Sequence, residues 1–281
     1  MVFAEIYANK NLIMNIADNT PIIIGVGQVT EPVPTDLSSA SSHVDLAGKA
    51  AISALQDAKG LDLAAQIDVI AAVRIFADSS SVHQLKTGRT NNFPRSIGNR
   101  IGANPKEAIY STIGGDSPQK LVNEFAEKLA KGNCEMVLIA GGEALANAKA
   151  AKKQKVRLDW SEKVNGQLED RGMSSGRLGT STAVMHQVML PMQYYGLMEN
   201  ARRGAQDTDL TTYSLEMGEE FSKLSQVAAN NPYSAFPTAY DANYLATPSK
   251  ENPLVIAPYT CLLYTSPSPR DQRGSRMPSS A

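Results

Sequence analysis

The chain is poor in the residues that define several function classes. It has 2 cysteines in 281 residues, without metal-ligand spacing. That excludes a disulfide scaffold and predicts a reducing, cytoplasmic setting. Its 3 histidines, His43, His83 and His186, lie far apart in sequence, so no histidine metal cluster is expected. No apolar run reaches the roughly 18 residues of a membrane-crossing helix, and no membrane partner is expected. Neither sign of charge dominates: the formal net charge is −1. Nucleic acid is therefore not expected as a partner.

What is present is ordinary for a globular protein: 42% hydrophobic and 20% charged residues. The length suits one large domain or two small ones. Residues 1–19 lack the basic start and apolar core of a signal peptide and read as a disordered extension. The apolar run 21–26 predicts a central parallel strand covered on both faces. Gly25 and Gly27 after it make a lone G-x-G without the third glycine of a dinucleotide fingerprint. Residues 43–58 predict an amphipathic helix with Val44, Ala47, Ala51, Leu55 and Ala58 on one face. The next strand falls within 67–76, interrupted by Asp68 and Arg74, and a short helix follows over 93–101.

The most informative stretch is 107–143. Residues 108–111 suit a strand tip, and Gly114-Gly115 permits a tight turn. Ser117 stands where an N-cap belongs and Pro118 at the first helical position. Leu121, Val122, Phe125, Ala126 and Leu129 recur at helical spacing, Gly132 ends the helix, and 136–140 is a continuous apolar strand. Strand, helix and strand make a βαβ unit, so the strands should be parallel. The N-terminus of such a helix can hold an oxyanion or phosphate. The plainer reading is that Ser117 caps the helix and the glycines turn the chain. Residues 143–155 predict a helix ending in a basic, solvated cluster, and 191–203 and 209–230 predict two more helices.

The turn GGDSPQ (from Gly114), the apolar helix behind it and the strand ending Ala140-Gly141-Gly142-Glu143 resemble the nucleophile region of the thiolase superfamily. PIIIGVGQVTEP from Pro21, LPMQYYGLMENARR from Leu190 and VAANNPYSAFP from Val227 match in the same order. With ENPLVIAPYT from Glu251, they are most similar to thiolase-like proteins named acetyl-CoA acetyltransferases. The resemblance covers residues 20–260. It implies an α/β fold: the N-terminal half of a thiolase fold, βαβαβαβ with a mostly parallel sheet over 20–155, plus a partial, mainly helical loop domain over 156–260. The C-terminal half, with its histidine and second cysteine loops, is absent, and the edge next to the 136–140 strand is expected to be open. The implied substrate is an acyl-CoA thioester. Gly115, Asp116, Ser117, Gly141 and Gly142 are the implied binding residues, with no cofactor and with homo-oligomers expected for the whole protein.

One departure bears on chemistry. Thiolases carry a nucleophilic cysteine in a Cys-x-Ser-Gly turn here; this chain has Gly115 or Asp116 at that position, and neither forms a thioester by that route. Cys134 lies beyond the far end of the helix, on the order of 20 Å away at 1.5 Å per residue. The resemblance therefore implies either an acyltransferase fragment without activity of its own or a non-catalytic CoA-thioester or lipid-binding relative. Residues 261–281 are rich in Ser, Pro and Arg and read as a disordered tail. CLLYTSPSPRD and SRMPSSA within them are similar to the translation of a transposase sequencing adaptor, so an artefactual origin is expected.

Overall fold

The structure, a computed structural model, describes residues 17–59, 61–79, 86–172, 180–188, 190–232, 234 and 236–265. The chain divides into two compact units, Met1–Ser174 and Ser175–Ala281.

The first unit is built on a parallel sheet of β1 (Val69–Ala72), β2 (Glu107–Tyr110), β3 (Val137–Ala140) and β4 (Glu169–Asp170), in the order β3-β1-β2-β4. Central β1 is buried along its whole length, as its unbroken Val-Ile-Ala-Ala run requires. Its alternation serves two cores. Ile70 and Ala72 face α1 (His43–Asp57) and α2 (Phe93–Ile101), meeting Leu55, Val44 and Ile97. Val69 and Ala71 face Leu121 and Phe125 of α3 (Ser117–Ala130) on the other side. A capping box opens α1: the Asp45 N–H donates to Ser42 Oγ at 3.1 Å, and the Ser42 N–H to the Asp45 carboxylate at 3.0 Å. α4 (Leu145–Gln154) follows β3. Arg171, just past β4, forks onto Glu124 of α3 at 2.6 and 2.8 Å.

Three expectations are corrected here. Residues 21–26 form no strand and belong to no sheet. They run extended against α1, so closely that a Cβ at Gly25 or Gly27 would lie 2.2 Å from the Ala54 or Ala50 carbonyl oxygen. The Val26 N–H goes to Asp57 at 2.9 Å. An apolar run becomes a strand only where another strand accepts its backbone, and none adjoins this one among the described residues. Second, Asp116 rather than Ser117 occupies the N-cap of α3, without a side-chain cap bond. Third, residues 169–170, placed with the mainly helical loop domain, instead form β4 of the sheet, where Ile109 and Tyr110 pair with Glu169 and Asp170. Of the extension, residues 1–16 lie outside the described residues; Asn19 is fixed, its side-chain amide donating to the Ala130 carbonyl at 3.0 Å.

The second unit is mainly helical: α5 (Ser181–Met185), α6 (Pro191–Ala205), α7 (Leu210–Ala229) and α8 (Ala242–Ala246), with a hairpin of β5 (Leu254–Ile256) and β6 (Tyr259–Thr260). α7 and α8 meet at Gly218, where a Cβ would lie 2.4 Å from the Ala242 carbonyl oxygen. The tail differs from expectation at its start. Cys261–Thr265 forms α9, and Leu263 is buried against Leu245 and Tyr259. Asn252 Oδ1 receives the Leu262 N–H at 2.9 Å, so a hydrogen bond from outside the helix anchors its first turn. Residues 266–281 lie outside the described residues. Among the described residues no helix is long and apolar enough to cross a membrane.

Candidate functional site

Strand register sets where a ligand would sit. Ala72, Tyr110 and Ala140 are opposite one another, so β1, β2 and β3 end flush. In open parallel sheets this carboxyl edge is where ligands bind. The turn after β2 carries Gly115, Asp116 and Ser117; Gly141 and Gly142 follow β3. Because β1 lies between β2 and β3, the two groups do not adjoin. Val73 and Arg74 separate them.

Each expected residue has a distinct environment. Ser117 is buried, and its hydroxyl donates to the Thr112 carbonyl at 2.8 Å, tying the turn back onto the strand end. Its N–H donates to the Gly114 carbonyl at 3.1 Å, and Pro118 has none to offer. The Lys120 N–H is taken by the Asp116 carbonyl, so among the described residues the Gln119 N–H is the one in the first turn without a partner. Gly115 is open: a Cβ there would meet nothing within 4 Å. Asp116 is exposed beside Lys120 at 2.7 Å, and that bond holds its carboxyl below the usual range. A Cβ at Gly141 would make ordinary contact with Val73 at 3.4 Å. At Gly142 it would lie 2.7 Å from the His43 carbonyl oxygen and 2.9 Å from the Ala47 nitrogen, so this glycine lets the β3 end pack on α1.

Residues that sequence reasoning passed over hold this edge together. The Arg74 side chain is largely buried. Its N–H donates to Ser111 Oγ at 3.0 Å, its Nε to the Ser111 carbonyl at 2.9 Å, and its guanidinium pairs with Asp170. Tyr110 Oη donates to Asp78 at 2.8 Å and accepts from the Ile75 N–H at 3.1 Å. Burial, and then the charge of Asp78, push the Tyr110 phenol far above its usual range, so it stays a neutral donor. Glu143 accepts the Phe76 N–H; desolvation, with Asp78 adding repulsion, raises its carboxyl. His43 is buried, its ring 5.3 Å from Phe93 and 6.2 Å from Trp160, and Nδ1 has no hydrogen-bond partner among the described residues. Desolvation lowers its pKa, which favours the neutral ring. The signal for Arg74 was visible: a cation in an apolar run, two residues past the strand.

Among the described residues the edge thus offers an open turn, one helix N–H and a buried polar network, but no nucleophile beside a base. Cys134 packs near the amino end of the sheet, where burial raises its thiol. Among the described residues no group of three metal-binding side chains converges. A cavity of about 540 Å³ lies elsewhere, beside α1, lined by Ser41, Lys49, Arg100, Arg157 and Trp160. Two of its cations are already paired, Lys49 with Glu31 and Arg100 with Asp45 and Glu162. The strand edge is therefore the stronger candidate.

The chain is similar to a solved structure of a monomeric SCP2-thiolase like protein type 1 from Mycobacterium smegmatis. The fold is thiolase-like. The match has 31% sequence identity and a TM-score of 0.63, and covers 87% of this chain but 43% of that one. The chain thus spans less than half the length of its thiolase-like neighbour. No family model matches the chain, and no curated protein does.

Proposed function

We propose that this chain is the amino-terminal part of a thiolase-superfamily protein that binds an acyl-CoA thioester at the carboxyl edge of β1, β2 and β3. The thioester end would lie over Gly115 and Asp116, with Gly141 on the opposing strand end. The observation that carries this reading is the empty space at Gly115, directly before α3, in a thiolase-like fold. Open space lies where a nucleophile would project, and Gly115 supplies none. The Ser117 hydroxyl is committed to Thr112 and is no substitute. Binding without covalent catalysis by this chain is therefore the reading the site supports best. The second reading, a fragment of an acetyl-CoA acetyltransferase-like enzyme, is favoured by the likeness of fold, with the chemistry then supplied by residues outside this chain.

Thermal shift with acetyl-CoA, free CoA and a dinucleotide tests the binding claim. A ligand at a hundred times its dissociation constant stabilises the folded state by about 2.7 kcal/mol. Stabilisation by acetyl-CoA and CoA is expected; stabilisation by the dinucleotide alone would overturn the reading. Thiolysis or condensation by the purified chain would overturn its inactivity. The adaptor origin of residues 261–281 is likewise proposed, and genomic reads that continue through Cys261 with the same codons would sink it.

A further inference from the structure

Five cations crowd one short stretch of the first unit. From Lys149 to Arg157 the sequence reads KAAKKQKVR, with no acidic residue, in a chain whose formal net charge is −1. The lysines of α1, α3 and α7 each reach a carboxylate: Lys49 at Glu31, Lys120 at Asp116, Lys128 at Glu124 and Lys223 at Glu220. Among the described residues Lys149, Lys152, Lys153, Lys155 and Arg157 make no ion pair, and all five are exposed. The negative end of the α4 dipole accounts for Lys152 and Lys153, which stand in its last turn. It does not account for Lys149, a turn earlier, or for Arg157, past the helix.

The stretch runs directly into a cavity wall. Residues 157–160 leave α4 and line the space of about 540 Å³ beside α1. Leu158 and Ala151 pack on Leu37 and Ala40, which fixes that wall against the turn before α1. The volume falls within the range of about 300 to 1,000 Å³ found for small-molecule sites. Among the described residues the Arg157 guanidinium makes no hydrogen bond. Its charge acts on Asp159, whose carboxylate already accepts the Ser161 N–H at 3.0 Å. Lys49 and Arg100, also in the lining, are taken up by Glu31, Asp45 and Glu162. Arg157 is therefore the lining cation with binding capacity to spare.

We propose that this cavity binds a small molecule bearing two or more phosphate groups, one held by Arg157 and the others drawn by the lysines of the same stretch. Guanidinium matches phosphate oxygens in a two-pronged geometry, and lysines add point charges around it. Cations gathered at a cleft concentrate a multivalent anion far more than a monovalent one. Ile52, Leu158 and Trp160 give the lining an apolar side for the carbon body of such a molecule. The cavity favours a small molecule over a nucleic acid, which needs only a basic face. Nothing in this site depends on acyl-CoA binding at the strand edge.

Trp160 is the only tryptophan of the chain, so its fluorescence reports on this cavity. Titration of the whole chain with sodium tripolyphosphate should change that fluorescence saturably, with a matching heat of binding, and sodium chloride at equal ionic strength should not. Arg157→Gln breaks no contact within the protein, so it should weaken binding about tenfold at an unchanged melting temperature. Arg157→Lys should recover only part of that loss. Saturating acetyl-CoA should leave the tripolyphosphate affinity as it was. Phosphoinositide vesicles that bind the chain and are displaced by tripolyphosphate would support the site with a lipid headgroup as its source; vesicles that do not bind would support a soluble one. Absence of both heat and fluorescence change, or binding that Arg157→Gln leaves intact, overturns the proposal. So does displacement of tripolyphosphate by acetyl-CoA, which would make the cavity part of the acyl-CoA site. Single-stranded RNA that binds where tripolyphosphate does not would overturn it as well, leaving a nucleic-acid face.

Discussion

The guanidinium carbon of Arg74 lies 4.1 Å from the centroid of the Tyr110 ring. The same side chain holds the Ser111 carbonyl and Asp170, so one residue joins the ends of β1, β2 and β4. Arg74→Ala leaves Asp170 and the Ser111 carbonyl without this donor and should cost about 2–4 kcal/mol in urea unfolding. Arg74→Lys keeps the charge but loses the fork and the stacking, and should recover less than half of that. Equal stability of both variants with the parent would show that the strand ends do not depend on this clamp.

Gly141 and Gly142 are adjacent yet should differ sharply. Gly141→Ala adds a methyl at ordinary contact distance and should leave stability within about 0.5 kcal/mol. Gly142→Ala drives a methyl into backbone atoms of α1 and should cost about 1–3 kcal/mol. Equal melting temperatures for the two variants would contradict this packing.

Ser117→Ala removes the donor to the Thr112 carbonyl. A loss of about 1 kcal/mol is expected, with CoA affinity unchanged, since the hydroxyl faces the turn rather than the open edge. A loss of affinity at unchanged stability would instead make Ser117 a ligand contact.

Gly115→Cys places a thiol in open space at the start of α3. Alkylation by iodoacetamide should be faster there than at Cys134, whose thiol burial raises. If the binding reading holds, acetyl-CoA should acylate the new thiolate: sulfur attacks the thioester carbonyl, the CoA thiolate leaves, and the chain gains one acetyl group by intact mass.

His43 makes stability depend on pH. Burial lowers its folded-state pKa below 6.5, so between the two values the unfolded chain binds the extra proton. Its contribution is fully present above pH 6.5 and is lost as pH falls toward the folded pKa. The slope is at most about 1.4 kcal/mol per pH unit for one group. Denaturant unfolding from pH 7.5 to 5.0 should show this slope, and His43→Phe, packed beside Phe93 and Trp160, should flatten it. An unchanged slope in that variant would assign the dependence to other groups.

Local pattern carried much of the fold. The helical stripes of α1 and α3, Pro118 at its start and the apolar strands β1 and β3 follow from period and capping, which depend on neighbours in sequence. The GGDSPQ turn likewise marked the end of β2 and the start of α3. What local pattern could not decide was partnership. Residues 21–26 are as apolar as a central strand, yet whether they pair depends on a neighbour from elsewhere in the chain, and the segment rests on α1 instead. Ser117 and Gly142 look like site residues in one dimension. In three, burial and a close backbone approach give them packing roles, while Arg74, Tyr110 and Asp78 converge from distant positions because parallel register ends their strands together. Sequence fixed which segments could be helix or strand, since that is local stereochemistry. Tertiary structure decided which backbone groups found partners and which side chains lost water, since both require residues far apart in the chain to meet.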